Sequence, residues 1–357
     1  MKLSLTDTNS MKGVAITFIV WHNLIHWLVP VQENEFTFNV DNSNLFWEHV
    51  TELNPSLWMD IFSFLGWYGV PIFLFVSGYG LVRKYEDSQT NIGFRDFTYS
   101  HAKKLFTLMI LPYVIFLLLV FGFEHTINII PAISQITMLS NLWPPFINPG
   151  IYWFWGLMLQ LYICYYIFFY KRKNSSLLYF NILSIAIMVL FIILADNSFL
   201  LRFVNHGSAY LNLLRHNFIG WILPFTFGII YARCHWDIAV KSIWKNVILL
   251  VAAVGLLVLT NFNVYTWLFS PVLAIVIALI FNNLLKEVLI LNNTFIMLGK
   301  VSAFLFAIHP LIRYVYVHTI NSVDFVWIMT YFVVSVIVAI GYKRFYNWLF
   351  KTKLIQS

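Results

Sequence analysis

The sequence predicts an all-α polytopic transmembrane bundle of about ten spans with both termini cytoplasmic, on three observations. Sixty per cent of the 357 residues are hydrophobic and only 10% are charged, against about 25% charged in a soluble domain. Apolar stretches of about 20 residues recur along the chain, the length a helix needs to cross a bilayer core of about 30 Å. Of the 22 Lys and Arg residues, all but Arg202, Arg215 and Arg313 fall on one side once the N-terminus is placed inside. The chain reads as a single domain over 1–357.

The first span is expected near 12–30, entered at Lys12; it lacks a small-residue cleavage site and reads as a helix rather than a signal peptide. The second, 60–82, closes on Arg83 and Lys84, and the third, 104–123, starts after Lys103 and Lys104. The fourth, 150–170, ends on Lys171, Arg172 and Lys173, from which the fifth, 176–195, returns. The sixth, 217–233, stops at Arg233, and the seventh, 246–261, follows Lys241 and Lys245. The eighth, 264–282, precedes Lys286, the ninth, 296–317, contains Pro310, and the tenth, 325–343, ends at Lys343 and Arg344. Helices are required because lipid offers no partner to an unpaired backbone amide. The first outer loop is acidic, with Glu33, Glu35, Asp41, Glu48 and Glu52.

Several classes are set aside. A net charge of +7 comes from basic residues alternating with apolar spans, which sets orientation and argues against a nucleic-acid partner. Cys164 and Cys234 have no CxxC spacing and suggest neither a disulfide nor a zinc site. The 35 Phe, 19 Tyr and 14 Trp suit bilayer interfaces and wet cavities between helices. The expected partners are the lipid bilayer and whatever enters such a cavity; oligomeric state is left open.

Ionisable groups inside a span are costly unless they face a cavity or a partner, so they are the first functional candidates. His22 follows Lys12 by ten residues, roughly 15 Å along a helix. That spacing puts an imidazole near mid-membrane and a cation at the inner mouth of one helix, suited to proton transfer at one end and anion binding at the other. An interhelical hydrogen bond is the other reading of His22. His26, one turn on, forms HxxxH, but no Glu lies inside the pair and no third ligand follows at a known spacing, so no metal is expected. Arg83, Lys84, Arg95, Lys103 and Lys104 give the first inner loop enough charge to hold a phosphorylated ligand, or only to orient the chain. Ser77, Tyr79, Gln160, Tyr162 and His309 interrupt apolar runs, as site residues or as stitches between helices.

Several segments resemble the acyltransferase-3 family of membrane acyltransferases. Met11-Lys12-Gly13-Val14-Ala15 through Val20-Trp21-His22 resembles the family's first helix, a basic residue followed by Gly and then the histidine regarded as catalytic. Gly69-Val70-Pro71 through Ser77-Gly78-Tyr79 resembles its second-helix pattern of Pro, aromatics and Ser-Gly-Tyr. Lys103-Lys104-Leu105 with Leu111-Pro112-Tyr113 matches a basic pair leading into a Pro-Tyr helix, and Trp153 through Gln160 and Tyr162 a Trp...Gln-x-Tyr pattern. Met158 and Leu159 stand where some relatives carry acids. Leu223-Pro224-Phe225 with Phe227-Gly228, and Gly299-Lys300-Val301-Ser302 with His309-Pro310, resemble two later helices. The first-helix base is Lys where Arg is more frequent; Lys still binds phosphate, as a point charge without a bidentate fork.

The resemblance implies an O-acyltransferase of the bacterial cytoplasmic membrane, without a C-terminal esterase-like domain. It would carry a short acyl group, acetyl or another, from cytoplasmic acyl-CoA to a hydroxyl of an extracytoplasmic glycan or lipid-linked sugar. Lys12, Arg83, Lys84, Lys103 and Lys104 would hold the coenzyme A phosphates. His22 would act as base or be transiently acylated, with Ser77, Tyr79, Gln160 and Tyr162 ordering the site or stabilising an oxyanion. Trp47, Trp58 and Trp67, with His26 and His309, would contact the carbohydrate acceptor. A transporter or flippase of a lipid-linked sugar is the alternative, and it predicts an inverted repeat that the sequence lacks.

Overall fold

A computed structural model describes residues 2–88, 90–143, 146, 152–196, 207–236, 242–319 and 324–350. Arg202, Lys241, Lys351 and Lys353 lie outside the described residues. The helices are α1 (Leu5–Ile25), α2 (Val40–Thr51), α3 (Leu57–Leu65), α4 (Gly69–Leu81), α5 (Phe94–Glu124), α6 (Ile129–Ile136), α7 (Trp153–Cys164) and α8 (Asn174–Asp196). They continue with α9 (Gly207–His216), α10 (Phe218–Cys234), α11 (Ile243–Thr260), α12 (Val264–Trp267), α13 (Ser270–Leu285), α14 (Leu289–Thr319) and α15 (Phe325–Phe350). Among the described residues there is no strand.

Among the described residues, seven helical stretches are long and apolar enough to cross a membrane: Leu57–Glu86, Phe94–Glu124, Asn174–Leu194, Leu211–Cys234, Ile243–Thr260, Leu289–Thr319 and Phe325–Phe350. Trp153–Phe169 and Ser270–Leu285 are apolar but shorter. The helix expected over 12–30 instead runs from Leu5 to Ile25, because Ser4 opens it with a capping box closed by Asp7. His22 therefore stands in the last turn of α1 rather than halfway along it. The eighth expected span divides into the single turn α12 and the 16-residue α13. Leu118, Leu183, Val251 and Ile337 turn apolar side chains outward, as a lipid-facing surface requires.

Helix α1 lies inside the bundle, packed along α14 and against α3, α4 and α13. In lipid, helices gain little from hydrophobic burial against each other and associate through close packing. A Cβ on Gly13 would sit 1.9 Å from the Phe295 carbonyl oxygen, and one on Gly299 would sit 1.8 Å from that of Asn9. The α4–α10 crossing is built the same way, with a Cβ on Gly78 falling 2.2 Å from Phe225 O and one on Gly228 falling 2.0 Å from Phe75 O. Gly80 faces open space and serves no such approach. Gly228→Ala should therefore cost about 1–3 kcal/mol or more through overpacking. Its thermal midpoint in detergent is expected to fall while that of Gly80→Ala stays put; equal midpoints would remove the crossing as a source of stability.

The basic face is closed by a clasp. Arg233 of α10 donates to both oxygens of Glu86, at 2.8 and 2.7 Å, to Phe169 O at 2.7 Å and to Asn174 Oδ1 at 3.0 Å, while Tyr165 OH donates to Glu86 at 3.0 Å. This bidentate pair ties the ends of α4, α7, α8 and α10 together.

Candidate active site

His22 is held by the end of α3. Its Nδ1 lies 2.9 Å from Ser63 O and 3.3 Å from Phe62 O, in the turn where helix carbonyls run out of intrahelical partners. Two acceptors around Nδ1 require the proton there, which leaves the lone pair on Nε2. His22 is 3% exposed and lines a cavity of about 770 Å³ that opens away from the basic face. Asn23, His26, Trp67, Trp153 and Arg313 line the same cavity.

Glu33 and Glu35 come to His22 from the loop between α1 and α2. Ligand-type atoms of the three side chains all lie within 4.8 Å of one another, the only such set among the described residues. The loop is fixed through its carbonyls. Ser63 Oγ donates to Val31 O, Trp267 Nε1 donates to Asn34 O at 2.7 Å, and Arg215 Nε donates to Glu35 O at 2.9 Å. The Arg215 guanidinium is buried among three indoles, 4.3 Å from the ring centre of Trp221, 4.7 Å from Trp267 and 5.8 Å from Trp67, a desolvated cation–π cage.

Burial, reinforced by the neighbouring Glu33 carboxylate, pushes the Glu35 carboxyl well above the usual carboxylate range, against the opposing pull of Arg215. A folded-state pKa raised above the unfolded value, about 4.3, stabilises the fold fully below that value, and the gain is lost as pH rises through the folded pKa. The thermal midpoint should therefore decline across that window, and Glu35→Gln should flatten the decline, gaining stability only on the alkaline side. An unaltered slope in Glu35→Gln would show that Glu35 does not carry the raised proton affinity.

The other expected site residues divide sharply. Trp67 and His26 line the cavity; the His26 ring stacks on His22 at 5.0 Å between centroids, and its Nδ1 donates to His22 O at 2.8 Å, so the HxxxH pair does not converge on a common ligand. Ser77, Tyr79, Gln160 and Tyr162 do not line it. Ser77 is half-buried on α4, Tyr79 OH donates to Leu3 O at 2.9 Å near the basic face, and Gln160 Oε1 accepts from the Phe218 amide at 3.0 Å at the start of α10. The Tyr162 ring lies 4.5 Å from that of His101. Trp47 is 49% exposed on α2, and Trp58 packs edge-on against Phe325; neither lines the cavity. His309 is fully buried in α14, with Nδ1 donating to Leu305 O at 2.9 Å and Nε2 without a partner among the described residues.

On the basic face, Lys104 and Lys343 lie close enough to Lys12 to repel it, and Lys84 acts likewise on Lys104. Arg83 turns aside into an ion pair with Asp87, and Lys103 lies over the ring of Tyr99 at 5.9 Å. Lys343, on α15, enters the cluster with no sequence signal beyond its place on the inner side. The signals that could have found Glu33, Glu35, Arg215 and Arg313 were present: acids crowded just after the first span, and basic residues breaking the inside bias.

Residues 6–344 match the profile of a family described as an acyltransferase domain. No curated protein and no solved structure matches the chain.

Proposed function

The chain belongs to the acyltransferase-3 family and is a multi-pass membrane acyltransferase, and from that premise we propose that it moves an acetyl or other short acyl group from acyl-CoA to a glycan hydroxyl across the membrane. The single observation that carries this reading is His22, with its proton fixed on Nδ1 by Ser63 O and its free Nε2 beside a cavity. An imidazole in that state is ready to take a proton from a hydroxyl.

The donor enters from the basic face, taken as cytoplasmic, with its phosphates against Lys12, Lys84, Lys104 and Lys343. The acceptor, an extracytoplasmic sugar free or lipid-linked, enters the outer cavity and rests on Trp67 and Trp153. The Glu33 carboxylate stabilises the imidazolium that forms, and His22 then gives the proton to the leaving thiolate. The three side chains also have the donor types of a divalent-cation site. The reading takes them as a proton-handling set, because an Nε2 bound to a metal has no lone pair for a hydroxyl proton. The membrane would be the bacterial cytoplasmic membrane.

The test is incubation of purified protein with radiolabelled acetyl-CoA and a panel of cell-envelope glycans. Label is expected in a glycan, released by mild alkali as an ester. Label that stays on coenzyme A, while reconstituted protein moves a lipid-linked sugar between leaflets, would overturn the transferase reading in favour of a transporter.

A further inference from the structure

Arg313 is a cation that lacks an ion-pair partner among the described residues. It sits on α14 in the cavity wall, and Nη1 makes one long hydrogen bond, 3.3 Å, to the carbonyl of Asn23, the residue next to His22. Its guanidinium also lies over the Trp27 ring, 5.7 Å from the centroid. Among the described residues no carboxylate comes within ion-pair distance of it. Glu33, Glu35 and Glu124 line the same cavity, yet none of them pairs with it. Arg313 in turn acts on both His22 and His26.

Three other arginines of the bundle are held by partners. Arg233 is paired with Glu86, Arg83 with Asp87, and Arg215 is caged away from the cavity. Desolvating a guanidinium costs several kcal/mol unless an anion completes its shell, and among the described residues most of its five N–H donors have no acceptor. An anion that enters the cavity completes that shell beside His22.

We propose that Arg313 is a catalytic residue, the electrophile that receives the negative charge developing on the acyl carbonyl oxygen. The acceptor oxygen bonds to the thioester carbon as its proton passes to His22 Nε2, and the carbonyl π pair moves onto the oxygen facing Arg313. The tetrahedral adduct collapses, the C–S bond breaks, and the leaving sulfur takes the proton from His22. This assignment gives Arg313 the part that the sequence motifs had suggested for Ser77, Tyr79, Gln160 and Tyr162, and it rests on the acyl-CoA reading above.

The same chemistry would suit a permanent anion on the acceptor, a carboxylate or phosphate, and the test separates the two. Thiol release from acetyl-CoA, with water as the acceptor, is measured for wild type, Arg313→Gln and Arg313→Lys, with coenzyme A binding and thermal midpoint measured alongside. The expected result is a fall in kcat of about 10²–10³-fold for Arg313→Gln, a smaller fall for Arg313→Lys, an unchanged KM for acetyl-CoA and retained coenzyme A binding. If Arg313→Gln releases thiol at the wild-type rate, the assignment is overturned; if it then loses only transfer to an acidic glycan, Arg313 belongs to the acceptor's anion instead. A wild type that neither binds coenzyme A nor releases thiol overturns the acyl-CoA reading and this assignment together.

Discussion

Replacing His22 with Ala is expected to lower acyl transfer by at least about 10²–10⁴-fold, the span that a positioned general base contributes. Binding of coenzyme A should survive, because the basic cluster around Lys12 lies ten residues away along α1. Structure and chemistry are separated by His22→Asn, whose side-chain amide can still donate to Ser63 O but offers no basic nitrogen to the cavity. If His22→Asn keeps the wild-type melting temperature and loses transfer, the imidazole is needed for its lone pair. Turnover near the wild-type rate in His22→Asn would reduce His22 to a peg between α1 and α3.

Arg215→Met carries the second large effect. Methionine fills part of the indole cage with apolar volume, so the helices around it should still assemble, but the hydrogen bond to Glu35 O disappears. The loop then keeps its ties at Val31 and Asn34 while its Glu35 end is released. Misplacement of a catalytic group by about 1 Å can cost about 10²-fold in rate, and a loss of that order in kcat is expected, with KM for the acyl donor little altered. Arg215→Lys retains a donor and should recover part of the rate. A variant with full activity would mean that the loop finds its position without Arg215, and that Glu33 and Glu35 need no clamp.

The bundle was legible in the sequence because hydropathy and charge act residue by residue. The Lys171-Arg172-Lys173 turn and the long run of α14 declare themselves without reference to anything else. The Lys12–His22 spacing was legible for the same reason, being fixed by one helix, although the Ser4 capping box moved that helix toward the N-terminus and carried His22 to its last turn. What was not legible depends on contacts between distant segments. Ser77 and Tyr79 share a helix with cavity-lining Val70, yet rise along α4 carries them toward the basic end. Glu33 and Glu35 reach His22 only because Ser63, Trp267 and Arg215, from three separate elements, bind the loop's carbonyls. Arg215 and Arg313 were visible as exceptions to the charge bias, and that departure from a topological rule pointed to the site more directly than the polar residues within the apolar runs did.

The central claim is that one imidazole joins a donor arriving at the basic face to an acceptor in a cavity that opens on the other. Vesicles containing the protein in one orientation, with acetyl-CoA supplied only on the basic side and glycan only on the opposite side, test it directly. The account predicts acylated glycan in that arrangement and none when the two substrates are exchanged between compartments. Transfer that requires both substrates on the same side would contradict it.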